Sequence, residues 1–347
     1  MRTRVILLCT TLASPALADV PAVVTGTPVV HSLAAQVMGD LGQPTLLLDR
    51  GSDPHNFQLR PSQAQALAGA DLVFWVGPEL TPWLNRAIEG VGIRGESITL
   101  LNATGVHLRG FGDDHDQGHD DHGHDDHGHD DHGHDHHDDG HDHGEEHSNG
   151  HNHEHDHDHG DDHAQDDGHD HSHDGADPHA WLDPHNAEIW LDVIAGALAA
   201  RDPDNAETYA ANAATAREAI DTLDAELRET LTPAGDAAIM VFHDAYGYFS
   251  DHYDLRVAGS IALGDAAAPG AARLTQLRAQ LAEGQAVCLF PEVNHSSAHV
   301  DMLLEGTNTR RGGMLDPAGV MLEPGPEHYA TLMRNLAETI ADCVTEG

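Results

Sequence analysis

The sequence predicts two α/β lobes, each a mainly parallel sheet covered by helices, joined by a long rigid helix, with a disordered His/Asp-rich loop in the N-terminal lobe. Three observations carry this reading. Short apolar runs alternate with stretches of helical spacing in both halves of the chain, one helical stripe near the middle is longer than a small lobe needs, and the run from 113 to 175 holds no large aliphatic residue to bury. Strand then helix, repeated, means parallel strands covered on both faces.

Residues 1–18 have the form of an export leader. Arg2 and Arg4 precede the apolar stretch Val5 to Leu12, and Ala16-Leu17-Ala18 supplies the small-x-small pattern ahead of Asp19. Leu8 before Cys9 is too bulky for the usual lipoprotein signal. No later apolar run approaches the roughly 20 residues of a spanning helix, so the mature chain is expected to be exported and soluble.

The N-terminal lobe, 19–200, reads as the strands AVVTGT, TLLLD, DLVFWVG and SITLL, with SLAAQVMGDLG, PSQAQALAGA and ELTPWLNRAIEG as helices between them and NAEIWLDVIAGALAARD as a further helix after the His/Asp run. The interlobe helix, 201–232, starts at Asp202-Pro203 and stops before Pro233. Its buried stripe is Tyr209, Ala213, Ala216, Ile220, Leu223 and Leu227, in steps of three and four. At 1.5 Å per residue it spans on the order of 35–40 Å, enough to bridge two lobes. The C-terminal lobe, 233–347, resumes the alternation: AAIMVFH, LRVAGSI, AVCLFPEV and GGMLDP as strands, with helices around Ala272 to Glu283, Ser296 to Glu305 and Glu327 to Val344.

The run itself holds 22 of the 32 histidines and 24 of the 59 acids, and from His119 to Asp135 it reads HDDHGHDDHGHDDHGHD. With no aliphatic residue larger than Ala it cannot offset its ordering entropy. His119, His122, His124, His127, His129, His132 and His134 are its candidate auxiliary metal ligands. The net charge is −43, with 16 arginines and no lysine. That balance argues against nucleic acid and anionic membrane as partners and is compatible with attracting cations.

In open parallel sheets ligands sit outside the carboxyl ends of the strands, and binding residues sit on the loops there. His55 follows the strand TLLLD, His179 precedes a helix at the exit of the His/Asp run, and His243 ends the apolar run IMVFH. A lone histidine at such a position is usually a capping or hydrogen-bonding group. Three of them, in an exported chain that also carries a metal-binding run, point to a metal site in the cleft. Two cysteines, Cys288 and Cys343, remain after the leader. In an oxidising compartment they form either a bridge from a central strand to the last helix, closing a loop at about 4 kcal/mol, or two free core thiols.

DPHNFQLRPSQAQALAGADLVFWVGPEL, the His-rich insertion, DPHAWLDP, FHDAYGYF and GGMLDPAG follow one another in an order that resembles the periplasmic zinc-binding proteins of ABC importers, the ZnuA-like proteins. The likeness covers essentially the whole mature chain. The resemblance implies a monomeric periplasmic protein whose two lobes hold Zn²⁺ on His55, His179 and His243, with little hinge closure, and which delivers the ion to an ABC transporter permease in the inner membrane. It also implies the Cys288–Cys343 bridge. Some relatives place an acidic residue beside the first histidine, where this chain has Pro54. The fourth position is then left to Asp316 in GGMLDPAG or to water, and FPEVNHSSAHVDM leaves Glu292, His295 and His299 as outside candidates.

Three neutral imidazoles with one oxygen suit tetrahedral Zn²⁺, whereas manganese calls for more carboxylate, and His243 in place of an acid is the discriminating residue. Copper binds such ligands more tightly still. The alternative binding readings are a periplasmic metal buffer or chaperone, or a binding protein for another transition metal such as manganese, copper or nickel. A hydrolase would also use three histidines around an open-sided zinc, but the chain has no HExxH, no GxSxG and no Gly-rich phosphate loop, so no enzyme activity is expected. His31, opening a helix, reads as structural; Trp75, Trp83, Trp181 and Trp190 read as packing; and His107, His185, His252 and His328 read as solvent-facing.

Overall fold

The computed structural model describes residues 20–110, 175–262 and 269–345. The leader and nearly all of the His/Asp run, including His119, His122, His124, His127, His129, His132 and His134, lie outside the described residues. Gly110 and Ala176, on either side of that run, form an antiparallel bridge.

The first sheet is built from β1 (Val23–Thr25), α1 (Pro28–Met38), β2 (Thr45–Leu46), α2 (Pro61–Gly69), β3 (Leu72–Trp75), α3 (Pro82–Val91) and β4 (Glu96–Thr99). Its strands are parallel in the order β2-β1-β3-β4. The central pair β1 and β3 is buried along its whole length, as strands covered on both faces must be. Proline occupies the first turn of α1, α2 and α3, where its missing N–H costs nothing. At α2 the cap is Arg60, two residues before Ser62. The Arg60 N–H donates to Gln63 Oε1 at 2.7 Å, so the start is held by backbone and glutamine rather than by a serine hydroxyl.

Two helices follow, α4 (Pro184–Arg201) and α5 (Ala206–Leu231). Asp183 caps α4 by accepting the His185 N–H. The helix α5 has 26 residues and buries Tyr209, Ala213, Ala216, Ile220, Leu223, Leu227 and Leu231, the stripe expected from spacing. It packs on α1 and α4 of the first lobe and on the last helix of the chain.

The second lobe runs β5 (Ala238–His243), α6 (Gly247–His252), β6 (Arg256–Ala262), α7 (Ala271–Ala282), β7 (Cys288–Leu289), α8 (Ala298–Leu304), β8 (Arg310–Arg311) and α9 (His328–Thr345). Its parallel order β6-β5-β7-β8 repeats that of the first sheet. In both sheets the first and third strands are neighbours and their crossovers leave in opposite directions. A crevice therefore opens at their carboxyl ends, and the chain places β5's last residue, His243, in it.

The strand expected at GGMLDP is not formed. The ladder runs through Arg310–Arg311 and ends as Gly312 N–H donates to Leu289 O, where the Phe290 ring fills the place a side chain on Gly312 would need. Only Leu315 bridges back, to Glu292. His328 also departs from expectation. It is 2% exposed, with Nε2–H donating to Gly319 O at 2.9 Å, because the α9 terminus is packed under the 316–322 turn.

One apolar core runs through both lobes, from Val23 and Phe74 through Trp181, Tyr209 and Phe249 to Tyr329 and Cys343. Trp181 Nε1–H donates to Pro317 O, and Tyr329 O–H to Trp181 O. Ser32 Oγ donates to Pro326 O while accepting the Tyr329 N–H. A large apolar interface of this kind resists hinge motion. The Cys288–Cys343 disulfide fastens α9 to β7 across a separation of 55 residues.

Candidate metal centre

Two loops and the end of a strand bring His55, His179 and His243 together. His55 sits between β2 and α2, in Asp53-Pro54-His55, where Asp53 Oδ1 accepts the His55 N–H and the Trp83 indole donates to Pro54 O at 2.7 Å. His179 repeats the same turn. Asp177 Oδ1 accepts its N–H at 3.0 Å and lies 2.7 Å from its Nδ1. The Tyr248 hydroxyl holds that loop by donating to Asp177 O and accepting the Arg109 N–H. His243 closes β5, and its Nδ1 lies 2.6 Å from Glu292 Oε1, whose other oxygen accepts Tyr246 O–H at 3.0 Å. Burial first and the Glu292 charge second push the Tyr246 phenol well above its usual range, so it stays a donor.

A carboxylate can only accept, so Asp177 fixes the His179 ring with the proton on Nδ1, and the Glu292 carboxylate lies beside Nδ1 of the His243 ring. The two Nε2 lone pairs then point inward, 3.5 Å apart. Bare lone pairs at that distance repel, and a cation between them relieves the repulsion. With Zn–N bonds of 2.0–2.1 Å, the edge of a tetrahedron is about 3.3–3.4 Å. Nitrogens of all three histidines lie within 4.8 Å of one another. Histidine ligands backed by carboxylates are the usual construction of a metal site.

The cavity around them is about 40 Å³, and Asp53, Glu292 and Asp316 are among its lining residues. That volume suits an ion with one or two waters, whereas organic ligands need several hundred Å³. Asp316 is not grouped with the three ring nitrogens. Its oxygens accept the Val320 and Met321 N–H groups at 3.0 and 2.9 Å. Burial pushes its carboxyl upward, the two N–H groups oppose this, and Glu292 adds to it.

The family model for the periplasmic component A of zinc-uptake complexes, ZnuA, matches residues 23–343. The chain belongs to the ZnuA family. It is 50% identical over 334 residues to the high-affinity zinc uptake system protein ZnuA of Paracoccus denitrificans, covering 96% of this chain and 95% of that one. The counterpart of Brucella suis is 36% identical over 317 residues, covering 91% and 90%. A crystal structure of a ZnuA shares the fold at a TM-score of 0.68 with 21% identity, over 94% of this chain and all of that one. Among the described residues no helix is long and apolar enough to cross a membrane.

Against the ZnuA motifs, the Asp-Pro-His turn occurs three times here and serves two ends. At Asp53 and Asp177 it aims an imidazole into the cavity, whereas at Asp183 it caps α4 and leaves His185 exposed. Glu292, an outside candidate ligand on sequence, stands behind His243. Asp177 was not singled out by sequence, although an Asp two residues before a histidine is itself the sign of a local side-chain turn. His299 lies at the second position of α8 and does not line the cavity.

Proposed function

We propose that the protein captures Zn²⁺ on His55, His179 and His243 in the interlobe cleft and delivers it to the permease of an ABC importer. The observation that carries this reading is the pair of carboxylate-backed Nε2 atoms facing one another 3.5 Å apart. Asp316, which lines the same cavity, or a water takes the fourth position. Family membership supports the periplasmic location and the zinc cargo. The chain acts after removal of residues 1–18, as a monomer, with lobes 19–200 and 233–347 joined by 201–232.

Binding rather than catalysis is supported by a cavity with room for an ion and not for an organic substrate. Zinc over manganese is supported by three nitrogens in the primary set. The His/Asp run gathers zinc in several weaker, exchanging sites and raises its concentration beside the cleft. The experiment is chelator competition on His55→Ala, His179→Ala and His243→Ala. Each is expected to lose orders of magnitude in zinc affinity with the fold retained, and wild-type affinity in all three refutes the assignment.

A further inference from the structure

We propose that Glu292 and His295 form a second, shallower divalent-metal position at the rim of the cleft, separated from the three-histidine site by the His243 ring. The proposal rests on the reading of that inner site as the zinc site and adds a neighbour to it. Glu292 Oε1 lies 2.6 Å from His243 Nδ1 and 3.6 Å from His295 Nε2. Ligand atoms of His243, Glu292 and His295 all fall within 4.8 Å of one another. A carboxylate oxygen and an imidazole nitrogen at that separation span one edge of a coordination shell, and waters fill the remainder.

The chain is shaped to hold His295 there. Asn294 sits at φ 64°, one of two non-glycine residues in the left-handed region among those described. Such a conformation is disfavoured for an L-residue and is best tolerated by asparagine. It turns the backbone sharply between Glu292 and His295. The His295 imidazole then stacks on the Phe242 ring, with centroids 4.4 Å apart and planes at 20°, which sets its edge toward Glu292. The Glu292 side chain is 4% exposed and that of His295 is 31%, so the pair runs from the cavity wall outward. Among the described residues lining this cavity are three acids and no arginine, a field that favours a cation at its mouth.

Glu292 links the two positions. Its Oε1 lies against the Nδ1 edge of the His243 ring. An ion on the outer side draws on the same oxygen and weakens the carboxylate that orients His243. Loss of such an orienting partner typically costs 10–100-fold in metal affinity, so outer occupancy is expected to weaken the inner site by up to about tenfold, and inner occupancy to weaken the outer site equally. The outer position therefore serves exchange: an arriving ion loosens the one inside.

The test is a crystal of the full mature chain, first with one equivalent of zinc and then in excess zinc, with anomalous difference maps at the zinc edge. The expected result is one peak on the three histidines at one equivalent and a second, between Glu292 and His295 Nε2, in excess. His295→Ala is expected to lose the second peak and to slow zinc exchange at the inner site severalfold when free zinc is in excess. A filled inner site with no outer peak in excess zinc overturns this proposal and leaves the capture function standing. A missing inner peak sinks the capture function, and the Glu292–His295 position is then decided by its own peak.

Discussion

Asp177 tests the construction of the site, because one of its oxygens does two things at once: Oδ1 accepts the His179 N–H at 3.0 Å and holds His179 Nδ1 at 2.7 Å. In Asp177→Asn the amide oxygen can keep both contacts while the negative charge beside the imidazole is lost. In Asp177→Ala both contacts and the charge are lost, and the ring is free to take the tautomer that points a proton at the metal. Removing an orienting partner costs about 10–100-fold in metal affinity, so Asn is expected near tenfold, about 1.4 kcal/mol, and Ala near a hundredfold, about 2.7 kcal/mol. Asp177 is 3% exposed, and an orphaned buried N–H costs about 1–3 kcal/mol. Metal-free melting must therefore be measured beside zinc competition against a strong chelator at pH 7. Equal zinc affinity in wild type, Asn and Ala refutes the reasoning, and so does an Asn variant as weak as Ala.

Other expectations follow the same logic. Closing a 55-residue loop stabilises the fold by about 4 kcal/mol in the chain-entropy model, so the mature oxidised protein should show no titratable thiol after denaturation, and reduction should lower its melting temperature. Burial holds the His328 pKa below its usual 6.5, with the His31 charge adding to this and the Gly319 carbonyl opposing it. The unfolded chain then takes up a proton first as pH falls, and stability present above pH 6.5 is lost on acidification. His328→Gln should flatten the acid side of a melting-temperature profile. His252 carries the opposite sign. Burial lowers it, but Asp183 and Asp224 more than offset this and leave its pKa raised. Its contribution is complete below pH 6.5 and lost as pH rises through its folded value, so His252→Gln should cost more stability at pH 6 than at pH 9. Deleting residues 113–175 should lower zinc stoichiometry from several to one tight ion, with only the Glu292–His295 position filling further in excess zinc, and leave the tightest dissociation constant nearly unchanged; loss of the tight site would contradict the gathering role.

Much of this fold is legible in the sequence because its signals are local. The α5 stripe from Tyr209 to Leu227 and the apolar run of β5 are read from spacing alone, and both appear where spacing puts them. Histidines at strand ends stand out for the same reason. What stays hidden depends on contacts across the sheet. The GGMLDP segment has strand-like apolar residues, yet Gly312 meets the Phe290 ring and the ladder stops. His328 looks like a surface residue opening a helix, and only the turn that ends at Leu322 covers it. Glu292 reaches His243 because β5 and β7 are neighbours, 49 residues apart in sequence between the two side chains, and no local pattern announces that pairing.

The central claim is that three imidazoles, from two loops and the end of β5, and not the far more numerous histidines of the run, hold the tight ion. An anomalous difference map at the zinc edge, from crystals of the full mature chain with one equivalent of zinc, tests it most directly. The account predicts a single peak about 2.0–2.1 Å from a nitrogen of each of His55, His179 and His243. A map with zinc elsewhere and no peak among these rings contradicts it.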